Sequence, residues 1–79
     1  MLVKQGGMIL MPLTMAQIGA VNIVKRVGGK DEVRKFLETL GFVEGSEVVL
    51  LSQNKGNVIV KVKESRIAIS KEMANKIMI

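Results

Sequence analysis

The sequence contains no cysteine and no histidine, and its only aromatic residues are two phenylalanines. Without cysteine it can form neither a disulfide-stapled scaffold nor a thiolate metal site. The most common catalytic base and the most reactive nucleophile are also missing. One serine–lysine pair, Ser70 with Lys71, stays open as an alternative, although a lysine in the first turn of an exposed helix is expected to remain solvated and protonated. We therefore predict no catalytic residue and no enzyme activity.

Metal and cofactor patterns are equally sparse. Iron(II) favours imidazole and carboxylate ligands, and the seven acidic residues are scattered along the chain. Glu44 and Glu47 flank a predicted turn and could approach each other, which leaves a weak transition-metal contact as an alternative. Gly28 and Gly29 precede a helix, but Asp31 would place negative charge where a phosphate would bind. We assign no metal ligand and no cofactor.

Basic residues exceed acidic residues by twelve to seven, which gives a net charge of +5. Such a charge suits a partner with an acidic face, anionic lipid headgroups or nucleic acid. Several cations on predicted strands could form one basic face: Lys25, Arg26, Lys61, Lys63 and Arg66. Barrels that bind single strands add exposed aromatic residues for stacking, whereas Phe36 and Phe42 are both predicted to be buried. A nucleic-acid-binding barrel is therefore kept as an alternative and not as the main hypothesis.

A chain of 79 residues forms one domain with a small interior. Since 48% of the residues are hydrophobic, apolar surface can remain for a partner, and self-association is possible. No apolar stretch approaches the ~20 residues of a membrane helix. Residues 1–10 are predicted to be a frayed tail or an overlong start and not a signal peptide. The alternative is an added edge strand over Met8–Met11.

One helix is predicted over about residues 31–40. Its apolar residues follow the spacing i, i+3, i+4, i+7 and are Val33, Phe36, Leu37 and Leu40. Asp31 is predicted to be the N-cap. We expect an ion pair between Asp31 and Lys35, and another between Arg34 and Glu38, because each pair is four residues apart.

The helix is predicted to end in a sharp reversal. Gly41 suits the left-handed position after a helix, and Phe42 would then pack back on Leu37 in a Schellman motif. Gly45 suits the third position of a type II turn, which also requires positive φ. The chain should therefore leave the helix and enter a strand within a few residues.

The remaining segments predict short strands and two further helical turns. Thr14 with Gln17 indicates a turn near residues 14–18, and Ser70 is predicted to cap a second one over 71–76. Predicted strands cover residues 20–27, 47–53, 58–63, 66–69 and 77–79. Short strands between turn signals are typical of a small barrel or sandwich.

Residues 11–79 resemble the FeoA family, small bacterial cytosolic proteins of ferrous iron transport. The resemblance rests on the order and spacing of several short motifs: Pro12-Leu13-Thr14, Ile18-Gly19, Leu40-Gly41-Phe42, Gly45, Arg66-Ile67-Ala68-Ile69-Ser70, Met73-Ala74 and Ile77-Met78-Ile79. Glu44 departs from the proline that the family often has before the second glycine. The resemblance implies a mostly β, SH3-like barrel of about five short strands with helical insertions.

The resemblance also implies a function and a partner. The chain would be a cytoplasmic, non-enzymatic accessory protein that docks on the cytosolic GTP-binding domain of the membrane transporter FeoB and modulates it. Contact with the membrane would then be indirect. Arg34 and Arg66 are candidates for an arginine finger that stimulates GTP hydrolysis, but structural ion pairing is the favoured role for each.

We predict that the docking face is the outward surface of the helix and the loop that follows it. Its five residues are Lys35, Glu38, Thr39, Val43 and Glu44. This choice follows from their expected exposure.

Overall fold

The structure is a computed structural model that describes residues 9–79. It begins with a 3-10 turn over Leu13–Met15, and its two helices are α1 (Asp31–Thr39) and α2 (Lys71–Ala74). The six strands are β1 (Val21–Ile23), β2 (Arg26–Val27), β3 (Glu47–Gln53), β4 (Asn57–Val62), β5 (Ser65–Ser70) and β6 (Ile77–Met78). The predicted mostly β fold with one principal helix is confirmed.

The strands form two antiparallel sheets. The larger has the order β1-β3-β4-β5, and the smaller pairs β2 with β6. Met11 extends the smaller sheet, because its N–H donates to the Ile79 carbonyl at 3.2 Å and the Ile79 N–H donates back at 2.9 Å. Ile9 and Leu10 are exposed. Residues 1–8 of the predicted tail lie outside the described residues, and so does Met8 of the alternative edge strand. Ile9 and Leu10 are not in a strand, and of that alternative Met11 alone pairs with a neighbouring segment.

The prediction of one continuous strand over residues 20–27 is wrong, because β1 and β2 are separate strands. The chain changes sheets in its middle: the Val24 N–H donates to the carbonyl of Ser46, directly before β3 of the larger sheet, and the Lys25 N–H donates to Met78 in the smaller one. Val24 is 1% exposed at this corner. A run of β-branched residues indicates extended backbone but not which neighbour each half will find.

Two predicted caps are also corrected. Lys30, with φ −70° and ψ 157°, is the N-cap of α1. Asp31 is instead the first helical residue, and its carboxylate accepts a hydrogen bond from the Arg34 guanidinium at 2.7 Å. The negative charge of Asp31 also interacts favourably with the positive end of the helix dipole. This i, i+3 ion pair forms in place of the two predicted pairs, Asp31 with Lys35 and Arg34 with Glu38. Thr14 lies inside its 3-10 turn and donates to the Asn75 side chain at 2.5 Å.

The reversal after α1 is confirmed. Gly41 has φ +109°, its N–H donates to Glu38 at 3.0 Å, and the Phe42 N–H donates to Leu37 at 3.0 Å. These two bonds define a Schellman motif. Gly45 has φ +88°, and the Ser46 N–H donates to the Val43 carbonyl at 3.0 Å, as the type II turn requires.

The hairpins combine predicted and unpredicted features. The Asn54 carboxamide oxygen accepts from the Gly56 and Asn57 N–H groups and closes the β3–β4 turn. The register between these strands shifts between Leu50 and Ser52, which the sequence pattern does not indicate. Ser70 accepts from the Met73 N–H at 3.2 Å, so its predicted capping of α2 is confirmed.

The core lies between the inner face of the larger sheet, α1 and the C-terminal segment. Val48, Leu50, Val58, Val60 and Val62 supply the inner face and are 0–1% exposed. The core also includes Leu13, Val24, Leu37, Phe42, Ile69, Ala74, Ile77 and Ile79. The alternation in β4 is confirmed, since every second side chain of that strand is buried.

Three glycine-to-alanine substitutions separate backbone strain from steric contact. A Cβ at Gly41 would lie 3.4 Å from Val62 at φ +109°, whereas one at Gly45 would meet nothing within 4 Å at φ +88°. We expect Gly41→Ala to destabilise the fold by roughly 2 kcal/mol and Gly45→Ala by roughly 1 kcal/mol.

The matched control is Gly56→Ala, because Gly56 has open space and no left-handed φ. We expect its free energy of unfolding to stay within about 0.5 kcal/mol of the wild type or to rise slightly. Urea denaturation of the three variants provides the measurement. Equal free energies of unfolding for all three would contradict the role assigned to Gly41 and Gly45.

Candidate docking surface

The outward side of α1 carries three of the predicted docking residues. Lys35, Glu38 and Thr39 are all exposed. They share one side of the helix because successive residues are about 100° apart around its axis. The Thr39 hydroxyl donates to the Phe36 carbonyl at 2.6 Å, which fixes its side chain along the last turn.

The loop after α1 carries the other two residues. Val43 is 38% exposed, and Glu44 is exposed at the second position of the type II turn. The Gly45 N–H donates to the Val24 carbonyl at 2.8 Å and ties this turn to the barrel. The structure thus places all five predicted residues at the surface, on two segments joined by the Schellman motif.

Phe36 corrects the predicted helix face. It is 48% exposed, whereas Leu37 is fully buried and Val33 and Leu40 are half-buried. Around the helix axis, Phe36 lies about 100° from Leu37, but Val33 and Leu40 lie within about 60°. The buried stripe centres on Leu37, and Phe36 falls at its margin. In the sequence Phe36 and Leu37 are the two edges of one apolar stripe, so helical spacing alone does not show which of them is exposed.

Phe36 also changes the character of the surface. Around the helix axis Phe36 lies about 60° from Thr39, so an exposed aromatic ring borders the predicted docking residues at Thr39. Together with Val43 it gives an otherwise polar surface two apolar anchors. Buried aromatic anchors within a polar rim are the usual centres of protein interfaces. We call Lys35, Phe36, Glu38, Thr39, Val43 and Glu44 the helix–loop face.

The charges of the helix–loop face are available to a partner. Within residues 9–79 the one ion pair is Arg34 with Asp31, at 2.7 Å. Lys35, Glu38 and Glu44 are therefore free of ionic partners within the described part of the chain. Arg34 has the predicted structural role, but for Arg66 the predicted ion pairing is not found in that part of the chain.

The five cations predicted to form one basic face are divided between the sheets. Lys61 on β4 lies directly opposite Arg66 on β5 in the larger sheet. Arg26 belongs to β2 of the smaller sheet and pairs with Met78 of β6. The Lys25 N–H also donates to the Met78 carbonyl. The structure therefore unites Lys61 with Arg66 and assigns Lys25 and Arg26 to another element.

The acidic residues provide no compact metal site in the part of the chain that the structure covers. No three acidic side chains between residues 9 and 79 are grouped so that they could hold a metal ion. Glu44 lies in the type II turn and Glu47 begins β3, so the turn separates the two carboxylates along the chain.

None of the helices in residues 9–79 has both the length and the apolar character needed to cross a bilayer.

The fold and its helix–loop face define a small SH3-like β-barrel domain. The chain belongs to the FeoA family, since the family model for the FeoA domain matches residues 11–79. The predicted resemblance is thereby confirmed, and the chain is a small protein associated with ferrous iron transport. A sequence search of curated proteins gave no match.

Solved structures support the same family. The crystal structure of an iron uptake regulatory protein (FeoA) superimposes with a TM-score of 0.80 at 30% identity, over 89% of this chain and 95% of that one. The zinc complex of Stenotrophomonas maltophilia FeoA gives a TM-score of 0.74 at 25% identity, over 85% and 86% of the two chains. That protein is described as an SH3-domain protein and as a candidate activating factor for ferrous iron transport.

A manganese-dependent transcriptional repressor shares the fold alone. Its TM-score is 0.80, but the identity is 15% and the match covers 40% of the repressor chain. The same barrel is therefore found as one part of a larger regulatory protein.

The exposure of Phe36 predicts a contrast in stability within α1. Phe36→Ala should lower the free energy of unfolding by about 1 kcal/mol or less, because half of the ring is already in water. Leu37→Ala should lower it by roughly 2–4 kcal/mol, because Leu37 is fully buried. Chemical denaturation of both variants measures the contrast. A loss for Phe36→Ala as large as that for Leu37→Ala would show that the ring is part of the core.

Proposed function

We propose that this chain is a non-enzymatic, cytoplasmic accessory protein that docks on the cytosolic GTP-binding domain of a FeoB-type membrane transporter and modulates ferrous iron uptake. The observation that carries the proposal is the FeoA domain, which extends over residues 11–79. Contact with the membrane would be indirect, through the transporter.

We further propose that the helix–loop face is the docking surface. It offers an aromatic ring at Phe36 and an aliphatic group at Val43, which are 48% and 38% exposed. The charged side chains of Lys35, Glu38 and Glu44 are exposed on the same two segments. An apolar centre with a charged rim gives affinity from the centre and orientation from the rim.

Docking also fits the position of the two arginines. Arg34 is held by Asp31 at 2.7 Å, so a role in catalysis would require that ion pair to break. Arg66 is exposed on β5, outside the helix–loop face. A modulator that acts by docking would change GTP hydrolysis by ordering the transporter's switch loops and would need neither arginine as a finger.

Two kinds of substitution test the docking surface. Phe36→Ala should weaken binding to the purified cytosolic domain roughly tenfold, because it removes the apolar anchor. The double exchange Lys35→Glu with Glu38→Lys should weaken it several-fold, because it reverses the local charge pattern while the net charge stays constant. Isothermal titration calorimetry measures both.

The matched control exchanges Lys71→Glu and Glu72→Lys, two exposed residues of α2. It keeps the same composition and should bind like the wild type. Unchanged affinity of the Lys35–Glu38 exchange and of Phe36→Ala would show that the helix–loop face is not the docking surface. A wild-type chain that does not bind the cytosolic domain at all would overturn the proposed partner.

A further inference from the structure

The edge of the larger sheet at β1 exposes two β-branched side chains. Val21 is 61% exposed and Ile23 is 42% exposed, although both lie in a regular strand. β1 stands at one end of the order β1-β3-β4-β5, and no other strand of residues 9–79 covers its outer side. Sheet edges are commonly protected by lysine, proline or a covering element. Val21, Asn22 and Ile23 include neither lysine nor proline.

The register shows which backbone groups of β1 are free. The Val24 N–H donates to the Ser46 carbonyl at 2.9 Å. In an antiparallel pair the residues that bond to the neighbouring strand alternate, so Asn22 also bonds to β3. The N–H and C=O groups of Val21 and Ile23 therefore point away from β3. This edge offers two donors and two acceptors to an added strand.

A groove continues from this edge across the outer face of the sheet. Its volume is about 380 Å³, and it is lined by Val21, Ser46, Glu47, Val49, Lys61 and Lys63. Val21 lies opposite Val49, and Val49 lies opposite Lys61, so an apolar floor ends at a cation.

The charge around the groove is mainly positive. Lys61 lies opposite Arg66 on β5, and Lys63 contributes a second ammonium group to the lining. Within residues 9–79 none of the three cations has an ion-pair partner. Glu47 is the one acidic residue among the lining side chains, at the end of the groove where it lies opposite Ile23.

Lys63 connects this groove with the helix–loop face. It lies at the β4–β5 turn with φ +56°. Its aliphatic stem lies 3.6 Å from the position that a Cβ would occupy on Gly41, the glycine that ends α1. One residue that lines the groove thus packs near the reversal that joins the two segments of the helix–loop face.

We propose that β1 accepts an extended segment of a partner protein by strand addition, and that the face of this segment over the groove carries both aliphatic and carboxylate side chains. Its backbone would bond to Val21 and Ile23. Because alternate side chains of a strand point to opposite faces, the side chains over the groove would be two residues apart. The aliphatic ones would lie against Val21, and the carboxylates would be attracted by Lys61 and Lys63, which lie beyond β3 on the same face. This inference rests on the proposed function in one respect: the segment is taken to belong to the transporter's cytosolic part.

The charges favour such a segment over a second copy of this chain. Each copy carries a net charge of +5, which opposes the approach of two identical edges. β1 is also three residues long, so pairing of β1 with β1 would bury little area compared with a stable dimer. An acidic segment gains attraction from the same cations.

The first experiment uses a synthetic peptide as the probe: acetyl-Glu-Thr-Val-Thr-Val-Thr-Glu-amide, whose valine and glutamate side chains share one face of an extended strand. It is titrated into the 15N-labelled chain and followed by NMR. We expect the largest shifts at Val21, Ile23, Val49 and Lys61. We also expect slower hydrogen exchange of the Val21 and Ile23 amides, which contact with side chains alone would not produce. Shifts located elsewhere, or faster exchange at both amides, would overturn the proposal. Without peptide, hydrogen exchange of these two amides that slows as the protein concentration rises would show that a second copy binds the edge. That result would also overturn the proposal.

Charge variants provide the matched control. Lys61→Glu should weaken peptide binding roughly fivefold or more, because the pairing cation becomes an acid. Lys55→Glu makes the same charge change in the exposed β3–β4 turn, at the far end of β4, and should change affinity less than about twofold. Equal weakening by both variants would indicate attraction by net charge alone and would contradict strand addition.

The second experiment uses the transporter's cytosolic domain and the variant Val21→Lys, which places a charge on the edge. Weaker binding of this variant supports the edge as part of the docking site. Wild-type affinity of the variant would overturn the edge as the transporter's site. If the wild-type chain binds the peptide at β1 but not the transporter domain, strand addition holds and the proposed partner fails.

Discussion

The arrangement of this domain depends on the chain reversal between α1 and β3. Two positions with positive φ, Gly41 and Gly45, allow the helix to end and the strand to begin within a few residues. The short connection sends Phe42 back onto Leu37, and both are fully buried. The reversal places Phe42 in the core and Val43 and Glu44 at the surface, and Lys63 of the groove packs near Gly41.

The same reversal contributes residues both to the core and to the proposed docking surface. The residues that it buries complete the core, while those that it exposes, Val43 and Glu44, form the loop half of the helix–loop face. A small barrel with little interior cannot cover all of its apolar side chains. Four of the uncovered ones, Phe36, Val43, Val21 and Ile23, lie on the two surfaces to which we assign partners.

The resulting picture is of a module that acts by contact. A barrel of this kind can present a helix face and a sheet edge to one partner at the same time. Two small contacts on a rigid body restrict orientation more than either would alone. This geometry suits the role proposed above, in which the chain recognises one domain of an iron transporter and influences how that domain moves.

The sequence by itself determined the local features. Helical spacing placed α1, glycines at 41 and 45 specified positive φ, Ser70 capped α2, and alternation in β4 identified its buried side. Each of these depends on neighbouring residues, so local patterns suffice. The motif order also identified the family, and the exposure of the five predicted docking residues followed from helix and turn geometry.

Tertiary structure alone decided the features that depend on distant partners. The chain changes sheets at Val24 and Lys25 because one bonds to Ser46 and the other to Met78, far away in sequence. Likewise, Phe36 is exposed because the barrel meets the side of α1 centred on Leu37, and β1 is an open edge because of the strand order. Long-range pairing selects among local options that are nearly equal in energy, so no short window of sequence could reveal these outcomes.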